Sequence, residues 1–250
     1  MILPKKLLLF FSSLALLTAV VLFNSFTAPA KPALKIQIQH MVGKDVLVLD
    51  KGNYKNSLGQ QYTCSMLKYY VSNIHLKRND GKDFISKEYF LVDEDEINSK
   101  TLSLSKVPDG EYTAISFIVG IDSLHNCKGI QKGALDPVKG MFWAWNTGYI
   151  FLKMEGKSPQ SITSGKSLEY HIGGFQQPHN CIRTVTLSFS TPFKVGGQKE
   201  NKIIIKSDLS KLFNGRTVID FSKISTVTNI FGATTIADNY ATMFSLVEAK

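Results

Sequence analysis

The sequence predicts an all-β protein, an antiparallel β-sandwich with Greek-key, immunoglobulin-like connections. Three observations carry that prediction. Apolar and polar residues alternate with a period of two along most of the chain, turn residues cut these stretches into short segments, and no long helices intervene as the crossovers of a parallel sheet would require. At 250 residues, 44% hydrophobic and 20% charged, the chain has enough apolar surface for one substantial core. That composition excludes a disordered tail or a coiled coil.

The chain opens with a basic start, MILPKK, an apolar run, LLLFFSSLALLTAVVLF, and small residues at Ala28 and Ala30. This is the pattern of a secretory signal peptide over residues 1–30, leaving a single domain over 31–250 that is exported to the periplasm or cell surface. The run, at about seventeen residues, is also long enough to anchor the chain, so membrane contact is expected only if it stays uncleaved. Residues 1–30 hold Lys5 and Lys6 and no acid, so their removal lowers the formal charge from +9 to +7. The excess is spread evenly, as on a solvated surface. No basic run is interleaved with aromatics, which excludes nucleic acid as a partner.

The first strand is LKIQIQ, where Leu34, Ile36 and Ile38 alternate with Lys35, Gln37 and Gln39. Further strands are predicted at 45–50, 66–78, 84–92, 149–156, 167–172 and 201–206. In YTAISFIVGID, Ile115, Phe117 and Val119 share one face, and in IRTVTLSFS so do Val185, Leu187 and Phe189. Asn79-Asp80-Gly81, Pro108-Asp109-Gly110 and Gly196-Gly197 supply turns. Two segments read as helical. Asp136 is placed to cap a short turn with Pro137 at its first position. TIADNYATMFSLV sets Ile236, Tyr240, Met243, Phe244 and Val247 on one helical face behind a Thr235 cap, a short C-terminal helix covering an end or edge of the sandwich.

Common catalytic signatures are absent, so the sequence predicts a non-enzyme. Ser164-Gly165-Lys166-Ser167 ends like a phosphate-binding loop, but Gln160 stands where that loop needs its first glycine. Asp93-Glu94-Asp95-Glu96 lacks the alternating ligands of a calcium loop and reads as a solvated turn. The unusual segment is 120–150, a loop of about twenty-five residues, longer than compact domains usually tolerate without a function. It holds both tryptophans, Trp143 and Trp145, with His125, Asn126, Asp136 and Met141. The five histidines are His40, His75, His125, His171 and His179; imidazole is the usual ligand of exported zinc and copper sites. His75 lies in an alternating strand and reads as structural. Of the three cysteines, Cys127 and Cys181 sit in loop sequence and are expected to pair, whereas Cys64 reads as a small buried hydrophobe.

LKYYVSNIHL, GIDSLHN, GALDPVKGMFWAWNTGYIFLKMEG and EYHIGGF, in that order along nearly the whole mature chain, resemble the MbnP-like family of exported proteins. That family is related to copper-binding proteins whose site contains a tryptophan oxidised to kynurenine. The resemblance implies a β-sandwich that binds copper, beside a di-haem peroxidase-like partner that oxidises the tryptophan. Intact indole offers only an N–H donor; opening its five-membered ring creates a ketone and an aromatic amine able to face a metal. The site residues it implies are Trp143 or Trp145 with His171 and His125, and His40 third, a set suited to Cu(I). The role expected is copper acquisition, storage or delivery. A reading from another class is an adhesion or interaction module in which Trp143, Trp145 and Tyr149 form an exposed aromatic platform. Convergence of the histidines near a tryptophan ring separates the two.

Overall fold

Leu34, Ile36 and Ile38 are almost fully buried while Lys35, Gln37 and Gln39 are not, so the first strand places its apolar face as the alternation predicts. The computed structural model describes residues 33–143, 148–197 and 200–250. The proposed signal segment and Trp145 lie outside the described residues.

Fifteen strands are described in chain order: β1 (Leu34–Val42), β2 (Asp45–Val46), β3 (Tyr54–Lys55), β4 (Gln61–Arg78), β5 (Phe84–Ile85), β6 (Tyr89–Asp93), β7 (Thr101–Leu104), β8 (Gly110–Val119), β9 (Phe142–Trp143), β10 (Gly148–Lys157), β11 (Ser167–Gly173), β12 (Arg183–Val195), β13 (Lys202–Asp208), β14 (Thr226–Val227) and β15 (Phe244–Ala249). One sheet runs β15-β13-β1-β2, with β7 also on β1; the other runs β12-β8-β4-β10-β11-β14, with β3, β5 and β6 on β4 and β9 on β10. The result is an all-β, sandwich-like fold with a short C-terminal helix, as expected.

Ring contacts mark the layer between the sheets. Phe244 of β15 meets Phe117 of β8 at 5.2 Å and Tyr69 of β4 at 5.6 Å. Each such buried ring removes on the order of 150–250 Å² from water, so these aromatics dominate the cohesion of the layers. His40 is buried in the same layer. Its Nδ1 lies 2.5 Å from Glu94 and its Nε2 2.8 Å from the Tyr69 hydroxyl, and Lys100 closes on Glu94 at 3.0 Å. A charge so placed needs this pairing, because burying it alone would be costly.

Three expectations change. The sheets are mixed, not wholly antiparallel: β1 pairs β13 in parallel, Ile36 opposite Ile203 and Ile38 opposite Ile205, and β11 pairs β14 likewise. The C-terminal helix is Ala233–Tyr240, with Gly232 at its N-cap and Thr235 inside it. Phe244 and Val247 instead belong to β15, which pairs with β13 as an antiparallel edge, because a short apolar run fits either period and the open edge of β13 offers hydrogen bonds. Finally, the 45–50 strand shrinks to Asp45–Val46, and Asp50 turns into the left-handed region at φ 61°. Asp136 does cap a short helical turn at Pro137–Lys139, accepting from Val138 N at 3.0 Å.

Candidate functional site

His125 sits in a single helical turn, Ser123–Asn126, that Asp122 starts. The Asp122 carboxylate accepts from His125 N at 3.0 Å, satisfying one of the turn's open donors. The same Oδ1 lies 3.0 Å from His125 Nδ1. The Tyr89 hydroxyl donates to Asp122 Oδ2 and lies 2.6 Å from Nδ1. With Nδ1–H turned to the carboxylate, the lone pair falls on Nε2, the arrangement in which a carboxylate orients a metal-binding imidazole. Burial pushes the Asp122 carboxyl up, but hydrogen bonds from Tyr89 and His125 outweigh it and hold it below its ordinary value. Burial and the neighbouring Asp122 push the Tyr89 phenol up, so it stays a donor. Asn126 anchors the turn from beneath, donating to Ile121 O at 2.7 Å and accepting from Tyr149 N at 3.2 Å.

Beside this turn lies a cleft of about 500 Å³ whose lining includes Asn126, Cys127, Trp143, Phe175, His179 and Ile230. Trp143 is buried, on a two-residue strand paired with Gly148 and Tyr149. Its ring packs where Gly173 has no side chain: a Cβ there would come within 2.8 Å of the indole and 2.5 Å of the Tyr149 carbonyl oxygen. His179 packs edge-on against Phe231 at 5.4 Å.

Of the three histidines singled out from sequence, His40 and His171 face different ways. His40 points into the layer between the sheets, with both ring nitrogens engaged by Glu94 and Tyr69. His171 alternates with buried Tyr170 and Ile172 and so faces away from that layer, on the outer side of the other sheet. Its Nε2 meets Glu155 at 2.9 Å, with Lys153 at 3.4 Å from the same oxygen. Burial lowers the His171 imidazole below its ordinary range, against the opposing Glu155 bond. His40 and His171 therefore cannot share an ion. Among the described residues no three His, Cys, Asp or Glu side chains are grouped to hold a metal.

The expected Cys127–Cys181 disulfide is not formed; all three thiols are free. Cys181 is buried and its Sγ donates to His179 O at 3.5 Å, whereas Cys127 is exposed at the cleft. Burial pushes the Cys181 and Cys64 thiols each up to about 12. Thiolate chemistry is thereby disfavoured at both. Sequence reasoning passed over Asp122 and Tyr89, although the D-x-x-H spacing of a capped turn was available as a signal, and it noted His179 without placing it at the cleft.

Fold and site together define a β-sandwich protein with an aromatic, histidine-bearing cleft at one end of β10. The family model described as MbnP matches residues 31–230, and the chain belongs to that family. It is also similar to the solved structure of MbnP from Methylosinus trichosporium, at 14% identity over 79% of this chain and 80% of that one, with a TM-score of 0.48. No curated protein matches it.

Proposed function

We propose that this chain is an exported copper-binding protein, periplasmic or on the cell surface, that acquires, stores or delivers copper and catalyses no reaction. Membership of the MbnP family supports the reading, and the signal-like residues 1–30 support export. One observation carries it: Asp122 holds the His125 ring by Nδ1 and turns the Nε2 lone pair outward, where the Lys128 ammonium at 3.4 Å competes for it, and the two residues after His125, Asn126 and Cys127, line the cleft with Trp143 and His179.

The side-chain types at the cleft suit Cu(I) as cargo, although the described residues group no three of them around one point. Cu(I) accepts few ligands and favours soft or borderline ones, and the cleft and its flank offer the imidazoles of His125 and His179 and the exposed thiol of Cys127. Trp143 as encoded adds no lone pair. Peroxide, used by a di-haem peroxidase-like partner, would add two oxygen atoms across the indole 2,3-bond and cleave it. Hydrolysis of the resulting formamide would release the carbon as formate, leaving a ketone and an amine with a net gain of one oxygen and loss of one carbon. Trp145 is the other residue on which this modification could fall. The competing platform reading needs exposed rings, and Trp143 and Tyr149 are only 5% and 1% exposed.

The test is peptide mass spectrometry with metal analysis on protein purified from its native host. A gain of about 4 Da on the peptide holding Trp143 and Trp145, together with bound copper, is expected. Unmodified tryptophan would remove the kynurenine part of the reading, and absence of copper would remove the whole.

A further inference from the structure

A second cleft, of about 560 Å³, lies at the opposite end of β10 and shares no lining residue with the first. Gly148 borders one and Lys157 the other, a separation of about 30 Å along the strand. The lining includes Lys51, Gln61, Thr63, Lys157, Ser158 and Lys166, with no Asp or Glu. Three exposed lysines and several neutral polar residues thus line a concave space whose lining holds no carboxylate.

Two backbone irregularities lie at Lys157 and Lys166. Between β4 and β10, Met66 opposes Glu155 but Cys64 opposes Gly156, so Ser65 is an extra residue and β4 is bulged across from Glu155 and Gly156, beside Lys157. Gly156 is required there, since a Cβ would overlap the Thr63 carbonyl oxygen. Bulges commonly redirect the side chains beside them. Lys166 is held in the left-handed region at φ 54°, a conformation costing a side-chain-bearing residue about 1–2 kcal/mol. It is fixed by three bonds: its amide donates to Thr163 O at 3.1 Å, its carbonyl accepts from Ser158 N at 2.9 Å, and its ammonium donates to Ser161 O at 2.9 Å. Strain maintained this way is found at binding sites more often than elsewhere.

We propose that this cleft binds a small phosphate-bearing molecule. Its volume lies within the roughly 300–1,000 Å³ usual for small-molecule sites. Lysines act as movable point charges suited to a tetrahedral oxyanion, whereas planar carboxylates are typically gripped by the arginine fork, which the lining lacks. The Ser164–Ser167 run fails as a phosphate-binding loop in sequence, yet its lysine reaches this cleft from a β10–β11 turn.

The experiment titrates the copper-free chain with pyrophosphate at constant ionic strength, followed by calorimetry, with citrate as a second probe. Saturable one-to-one binding is expected, weakened about tenfold by Lys157→Gln and by Lys166→Gln, as loss of one charge-assisted contact predicts. Lys132→Gln, an exposed lysine elsewhere, leaves it unchanged. Should either variant unfold early in a thermal scan, Lys51→Gln takes its place. No saturable binding, equal affinity in all variants, or citrate binding as tightly as pyrophosphate each overturns the proposal.

Discussion

Asp122 holds His125 twice, accepting from its backbone N–H and from its ring Nδ1, each at 3.0 Å. One carboxylate therefore both starts the helical turn and fixes the direction of the imidazole. Asp122→Asn keeps a capping oxygen but loses the charge. Copper affinity is expected to fall about 10–100-fold, the usual consequence of losing such an orienting partner, with the fold retained. Competition against a Cu(I) chelator measures it; an unchanged affinity would mean that Asp122 serves the backbone alone.

His40 joins the two layers through Glu94 and Tyr69. His40→Ala leaves a cavity and takes one hydrogen-bond partner from the buried Tyr69 hydroxyl and one from Glu94, and is expected to cost about 2–4 kcal/mol of stability while copper stoichiometry stays at the wild-type value. Urea unfolding and metal analysis together check this. Copper loss without loss of stability would make His40 a ligand after all.

Glu94 sets an acid limit. Burial raises its carboxyl, but the His40 and Lys100 contacts outweigh that and hold it below its ordinary 4.5. Because the folded pKa is the lower, the unfolded state binds the proton more readily. The stabilisation is therefore complete above about pH 4.5 and lost as pH falls through the folded value. Glu94→Gln is expected to be less stable at neutral pH and to show a shallower decline below pH 4.5. Parallel declines in the two proteins would contradict the assignment.

Gly173 gives the Trp143 ring its room. Gly173→Ala is expected to cost about 1–3 kcal/mol through overpacking and to shift tryptophan fluorescence. A variant with wild-type stability and spectrum would show that the indole packs elsewhere.

Much of the fold was legible because strand alternation is local: Leu34, Ile36 and Ile38, and Ile115, Phe117 and Val119, are buried as their spacing requires. The β1–β13 pairing was not legible, since it joins Ile36 to Ile203 across most of the chain and no local pattern encodes it. Nor was the end of the C-terminal helix, where the run Met243–Val247 fits both periods and the open edge of β13 decides. At the site, the D-x-x-H spacing of Asp122 and His125 encodes a capped turn locally, whereas the contact of Tyr89 with both spans sequence separations of 33 and 36 residues. The separation of His40 from His171 depends on which way each strand faces, which becomes fixed only when the sheets pack.

The most direct test of the central claim is the copper content of the native-host protein against His125→Ala and His171→Ala, with folding verified by thermal unfolding. The account predicts copper in the wild type and in His171→Ala, and its loss in His125→Ala. Copper retained by His125→Ala, or lost instead from His171→Ala, would contradict it.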